Sequence, residues 1–225
     1  MRKISSLQIS VFMIMYAIIL ILGIGTAWLL LGQLDLGDFR AIILIVASVV
    51  FCFSFAILIY RIFQFYFPLQ QGEIEIDSRQ EFIYHVYILF FVLIFYPVMR
   101  SGVPLFPVMR LVYLGLGAKL GDNTYCGGII HDPLMFEAGE NCLIGQSALI
   151  IPHVIENGRL AHYKIKIGNN VTIGANAVVM AGVTIEDNAL VAIGAVIQKN
   201  THIAEGEVWG GLPAKCIKRP STDDI

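Results

Sequence analysis

The chain of 225 residues is 57% hydrophobic and 14% charged, with a mean hydropathy of +0.74. Soluble domains carry charge on about a quarter of their residues, so a wholly water-exposed globule is excluded and part of the chain is expected in lipid. A formal net charge of −2 supplies no basic stripe for nucleic acid, and Cys52, Cys126, Cys142 and Cys216 form no CxxC pair, which reads as reduced thiols rather than a disulfide or zinc framework.

From Ile9 to Leu31 the sequence carries no charge, and about 20 apolar residues suffice to cross a bilayer core. The run is too long for the apolar region of a signal peptide and lacks a small-residue cleavage site, so it reads as a retained helix. A second run, Ala41 to Tyr60, is equally clean. The connection holds Asp35 and Asp38 against Arg40, whereas Arg2 and Lys3 precede the first run and Arg61 follows the second. The positive-inside bias therefore places both ends of a transmembrane hairpin, residues 1–66, on the cytoplasmic side. Phe82 to Val98 is shorter, contains His85 and Pro97, and has Arg79 and Arg100 on either side, so charge does not orient it. The following segment mixes apolar residues with Arg110 and Lys119. Residues 67–117 are accordingly expected as interfacial or re-entrant helices in the cytoplasmic leaflet, which keeps the remainder on the cytoplasmic side of a multi-pass inner-membrane protein.

The second half follows neither a helical nor a strand period. Ile167, Ile173, Val179, Ile185, Val191, Ile197 and Ile203 recur every six residues, and four residues after each comes Val171, Ala177, Val183, Ala189, Ala195, Thr201 or Glu207. An earlier frame runs Leu120, Cys126, Asp132, Ala138, Ile144, Ile150, with Asp132 as its interruption. The first frame would continue at position 156, but the second starts at 167, eleven residues later, with the polar stretch "ENGRLAHYKIK" between them. A fixed short period is the mark of a solenoid, in which each repeat buries its apolar face against its neighbours. One aliphatic side chain per short strand fills the core, and Gly or Asn takes the bends.

The stretch "IGNNVTIGANAVVMAGVTIEDNALVAIGAVI", followed by "GGLPAK", resembles the hexapeptide-repeat acyltransferases over roughly Leu120 to Arg219. That resemblance implies a left-handed parallel β-helix over residues 118–219, interrupted by a loop at 155–166, with a tail at 220–225. The expected fold is thus an all-β helix preceded by an α-helical membrane domain, most similar to a polytopic branch of the family. The resemblance also implies three hexads per triangular coil, a homotrimer with sites between subunits, and acetyl-CoA or another acyl-CoA as co-substrate, with no metal.

Acyl transfer from a thioester requires removal of the acceptor's proton, and histidine titrates near neutrality. His153 stands where the first frame breaks, in the position where the family places its general base. His162, nine residues on, is a second candidate that orients the acceptor, and Glu156 is a candidate to fix the tautomer of His153. The His131–Asp132 pair has two readings: it faces the same cleft, or it merely explains the impure frame. His85 and His202 read as structural or interfacial. For the co-substrate, Gly174, Ala175, Ala192 and Gly194 allow a pantetheine arm close to the backbone, and Lys215, Lys218 and Arg219 supply charge for phosphates. The combined expectation is a membrane-anchored CoA-dependent acyltransferase, O-acetyl transfer foremost, acting on a membrane lipid or lipid-linked acceptor such as a saccharide or glycolipid. Two alternatives stand beside it. One is a zinc enzyme resembling the gamma-type carbonic anhydrases, with His131, His153 and His162 as ligands, although the spacing of the last two departs from that family's. The other is a non-catalytic β-helix scaffold.

Overall fold

A computed structural model describes residues 3–102 and 104–220. Arg2, one of the orienting charges, and residues 221–225 of the expected tail lie outside the described residues. Helix α1 (Ser6–Leu31) begins with a reciprocal cap: Gln8 N–H donates to Ser5 Oγ, and the Gln8 side chain accepts from Ser5 N–H. Such a cap satisfies amides that the first turn leaves unpaired. After a short connection, helix α2 (Arg40–Tyr66) packs back against α1 and runs past the expected end at Tyr60. Most of the large side chains on both helices are exposed hydrocarbon, and by length and composition each is able to cross a bilayer.

Helix α3 (Arg79–Phe90) continues through a π turn (Phe91–Phe95) into α4 (Tyr96–Arg100), so the third apolar stretch is wider than the sequence suggests. Arg79–Arg100 is also long and apolar enough to cross, but 44% of its apolar window is buried within the protein, against 22% and 6% for the first two. Its contacts explain the difference. Phe90 meets Phe12 and Tyr60 on the hairpin side, while Phe91 and Tyr96 meet His131 on the other. Helix α5 (Phe106–Gly115) buries Met109, Val112 and Tyr113 and leaves Phe106, Val108 and Leu111 exposed.

From Lys119 onward the chain visits three parallel sheets in strict rotation. The first face stacks Lys119–Leu120, Phe136–Ala138, Ile165–Ile167, Thr184–Ile185 and His202–Ile203. The second stacks Tyr125–Cys126, Leu143–Ile144, Thr172–Ile173, Leu190–Val191 and Val208–Gly211, closed by the antiparallel strand Ala214–Lys218. The third stacks Ile129–Ile130, Leu149–Ile151, Val178–Met180 and Val196–Ile197. Lys166 pairs with Thr184, eighteen residues on, so one coil is three hexads. All seven aliphatic positions of the second frame, Ile167 to Ile203, are buried. At one edge Asn123, Asn141, Asn170 and Asn188 all adopt positive φ, a conformation asparagine tolerates well. Their side chains bond from coil to coil, Asn123 to Asn141 at 3.0 Å and Asn170 to Asn188 at 3.2 Å.

Two departures from strict counting matter for the site. Lys166 pairs backwards with Glu137, twenty-nine residues earlier, so the eleven extra residues leave the stack without disturbing it. The loop expected at 155–166 takes the form of a hairpin: His153–Glu156 and Arg159–His162 pair and turn on Asn157-Gly158, both at positive φ. Asn-Gly is the preferred pair for such a two-residue turn. A third strand, Gly72–Ile74 from the connection between α2 and α3, adds antiparallel to the hairpin's outer edge. The other departure is in the first coil. Ile130, not Asp132, fills the third-face core position opposite Ile150, and Asp132 begins a corner turn (Pro133–Met135) instead.

Candidate active site

The corner that follows the third face carries His131 and Asp132 in the first coil and, one coil further, His153 at the root of the hairpin. His131 N–H donates to the Ile150 carbonyl at 2.9 Å, which locks the two levels together. Stacking therefore brings Asp132 beneath His153. His153 Nδ1 lies 2.5 Å from Asp132 Oδ2, a short charge-assisted contact with a carboxylate only 1% exposed. Asp132 Oδ1 accepts a second hydrogen bond, from the Tyr87 hydroxyl of α3 at 2.7 Å. Helix α3 thus reaches the carboxylate from the helical domain.

The electrostatics follow from this arrangement. Burial alone favours neutral Asp132, but the hydrogen bond and charge of His153, with Tyr87 assisting, hold its carboxyl below the usual range. Burial likewise favours neutral His153, yet the hydrogen bond and charge of Asp132 outweigh it and raise the imidazole above its ordinary value. His131 and His162 lie in the same patch, with ring centroids 5.8 and 6.3 Å from His153. Burial pushes both of them down, so they stay neutral near pH 7.

With Nδ1–H directed at Asp132, the free lone pair of His153 is on Nε2, which has no protein partner among the described residues. The side chain is 27% exposed. That is the tautomer a general base needs. His162 faces His153 directly across the hairpin, is fully buried under Tyr84, and among the described residues neither ring nitrogen has a hydrogen-bond partner. Buried polar nitrogens are nearly always paired, and these two stand out as unpaired among the described residues. Glu156 corrects the expectation drawn from its nearness in sequence. It lies at the exposed end of the hairpin, three residues along the strand from His153, and ion-pairs with Lys199 at 2.5 Å. Asp132 occupies the place expected for Glu156.

The residues expected at the co-substrate divide into two groups. Gly174 and Ala175 sit on the edge between the second and third faces, and Ala192 and Gly194 on the same edge one coil later, linked by Gly194 N–H to the Ala175 carbonyl at 2.9 Å. Gly174 has a packing reason for its size: a Cβ there would lie 2.5 Å from the backbone nitrogen of Ile193 in the next coil. Gly194 instead has φ +68 and open space beside it. Lys215 and Lys218 are exposed on the closing strand, whereas Arg219 is partnered by Glu207 at 3.4 Å. Of the two histidines read as structural or interfacial, His85 lies 3.2 Å from Gln8 Oε1 and His202 lies 3.1 Å from a Glu186 carboxylate oxygen. The three histidines of the zinc alternative are neighbours, but among the described residues no three His, Cys, Asp or Glu side chains converge on one ion position.

Residues 164–199 match the family model described as hexapeptide repeat of succinyl-transferase, so this segment is a hexapeptide repeat. No curated protein matches the chain. Among solved structures, it is similar to a hexapeptide-repeat-containing acetyltransferase from Vibrio cholerae, at 25% identity over 46% of this chain and 63% of that one, with a TM-score of 0.43. The same enzyme complexed with acetyl coenzyme A matches at 24% identity over 46% and 61%, with a TM-score of 0.42. A galactoside acetyltransferase in complex with coenzyme A matches at 22% identity over 57% and 80%, with a TM-score of 0.45. The chain thus spans less than two thirds of the Vibrio cholerae structures it resembles.

Proposed function

We propose that this chain is a membrane-anchored acyltransferase that moves an acyl group, acetyl foremost, from coenzyme A to a hydroxyl of a membrane-associated acceptor. The observation that carries the reading is the buried Asp132–His153 pair at the root of the hairpin, in a chain with hexapeptide repeats. As the acceptor oxygen attacks the thioester carbonyl, His153 Nε2 takes its proton. The tetrahedral adduct then collapses, the C–S bond breaks, and the imidazolium returns the proton to the departing CoA sulfur. No covalent enzyme intermediate forms. Asp132 fixes the imidazole's tautomer and stabilises its cation, and proton transfer of this kind contributes about 10²- to 10⁴-fold. His162, fully buried beside His153, is assigned to the wall of the site rather than to the acceptor.

The co-substrate's pantetheine arm is assigned to the edge of Gly174, Ala175, Ala192 and Gly194, with Lys215 and Lys218 nearest its phosphates; Arg219 is already engaged by Glu207. A homotrimer, with the left-handed winding that the resemblance implies, accords with the third face. Its outward column is Ile129, Leu149, Val178 and Val196, one apolar side chain per coil.

Membrane placement rests on α1 and α2 as the crossing hairpin. The third stretch touches the β-helix side from Tyr84, against His162, to Tyr96, against His131, about 18 Å of helix at 1.5 Å per residue. A helix engaged over that length supports a place at the cytoplasmic leaflet rather than a third lipid-surrounded span. The exposed apolar ridge of α5 suits the same level. The acceptor then meets His153 at the membrane surface, which favours a lipid-linked saccharide or glycolipid. Membranes bearing wild-type or His153→Ala protein, supplied with labelled acetyl-CoA, test the reading. Label is expected in a lipid-extractable product only with the wild type, and equal labelling by both removes His153 from the mechanism.

A further inference from the structure

The β-helix does not complete its own catalytic pair. Asp132 is 1% exposed, and among the described residues its carboxylate receives two hydrogen bonds. One comes from His153 of the next coil. The other comes from Tyr87, a fully buried side chain on the third apolar helix. The backbone of Asp132 is at φ +46, the left-handed conformation that other corner residues of the coils also adopt.

We propose that Tyr87 is a positioning residue: its hydroxyl holds the Asp132 carboxylate at the angle from which the other oxygen orients His153. This rests on His153 acting as the base and extends the machinery into the helical domain. Three features support it. Tyr87 is wedged between Tyr60 of α2 and Phe91 of its own helix, with ring centroids at 6.0 and 6.1 Å, so its hydroxyl is fixed by packing. The phenol takes Oδ1, leaving Oδ2 as the oxygen that faces His153 Nδ1. The same helix covers both flanking histidines, through Tyr84 on His162 and Tyr96 on His131. A shift of this helix therefore moves the phenol relative to the base, and helix docking and base orientation become one event.

The groups that share this charge environment are Tyr60 on α2, Tyr84 and Tyr87 on α3, His131 in the first coil and His162 on the hairpin. A phenol that donates to Asp132 draws charge away from His153. Its removal by Tyr87→Phe is thus expected to raise the titration midpoint of His153, while the separate loss of the carboxylate's fixed angle lowers the fraction with the proton on Nδ1. The midpoint and tautomer are read by NMR on full-length, histidine-labelled protein in detergent, with His153→Gln assigning the signal. Trifluorotyrosine at position 87 is a stronger donor that keeps ring and hydroxyl, and it is expected to move the midpoint the opposite way. It also serves if Tyr87→Phe does not fold. With acetyl-CoA and native membranes, Tyr87→Phe is expected to slow transfer about tenfold, the loss of one hydrogen bond to a charged group. Opposite shifts in the two variants sustain the proposal even if no acyl transfer is ever detected. A midpoint and tautomer indifferent to both changes overturn it, whatever the transfer rate.

Discussion

Replacing Asp132 by asparagine separates charge from shape at the centre of the site. Asparagine is nearly the same size and adopts the left-handed backbone of position 132, φ +46, without the penalty of about 1–2 kcal/mol that other side chains incur there. Its amide oxygen can keep the Tyr87 hydrogen bond, now 2.7 Å. Its amide NH₂ then replaces Oδ2, 2.5 Å from His153 Nδ1. Two donors cannot face one another, so the imidazole must turn its Nδ1 lone pair to the amide and move its proton to Nε2. The nitrogen meant to accept the acceptor's proton is then occupied. The expected loss in kcat is the whole proton-transfer contribution, about 10²- to 10⁴-fold, or about 2.7–5.5 kcal/mol. The assay is label transfer from acetyl-CoA in membranes, with the abundance and thermal midpoint of each protein measured in parallel. Asp132→Asn retaining a third or more of wild-type turnover would refute the assignment of Asp132 as the group that sets the tautomer.

Further outcomes follow from the same geometry. Because Asp132 raises the His153 pKa despite burial, kcat/KM is expected to rise with pH through a midpoint above the ordinary histidine value of 6.5, and Asp132→Asn should abolish that limb. The pair's contribution to stability has a definite window. The share from His153 is complete below 6.5 and lost as pH rises through its raised folded value, while the share from Asp132 is present above 3.8 and lost as pH falls through its lowered one. Thermal midpoints of wild type and Asp132→Asn should therefore differ most between those two values. Gly174→Ala places a methyl 2.5 Å from the Ile193 backbone nitrogen and is expected to cost about 1–3 kcal/mol, seen as a lowered unfolding midpoint; an unchanged midpoint argues for a looser stack. If the proposed trimer forms through the outward apolar column, Val178→Asp should lower the mass seen by light scattering to that of a monomer, and an unaltered mass refutes that interface.

The coils were legible because a solenoid repeats one local environment: each hexad residue meets the same neighbours, and the period survives in the letters. Even the eleven-residue excursion was countable. Its hairpin form was signalled by Asn157-Gly158, a turn pair that stands in plain sight between two four-residue strands. The frame failed at Asp132 because counting in sixes cannot see a four-residue step to Ile130 followed by a longer one to Ala138. The Asp-Pro pair at 132–133 was the available clue to a corner. Glu156 was favoured over Asp132 for its closeness in sequence. In a stacked coil, however, neighbours in space lie about one coil apart, and residue 132 is twenty-one positions before 153. The roles of Tyr87, Tyr84 and the strand Gly72–Ile74 depend on contacts between distant segments that no period records.

The strand Gly72–Ile74 has a practical consequence for anyone seeking a water-soluble fragment. Cutting the chain just ahead of Lys119 would strip the flank of Arg159–His162, baring a row of amides and carbonyls of the sort that recruits stray chains into aggregates. It would also uncap His162 and deprive the Asp132 carboxylate of its phenol. A severed coil should prove both adhesive and inert.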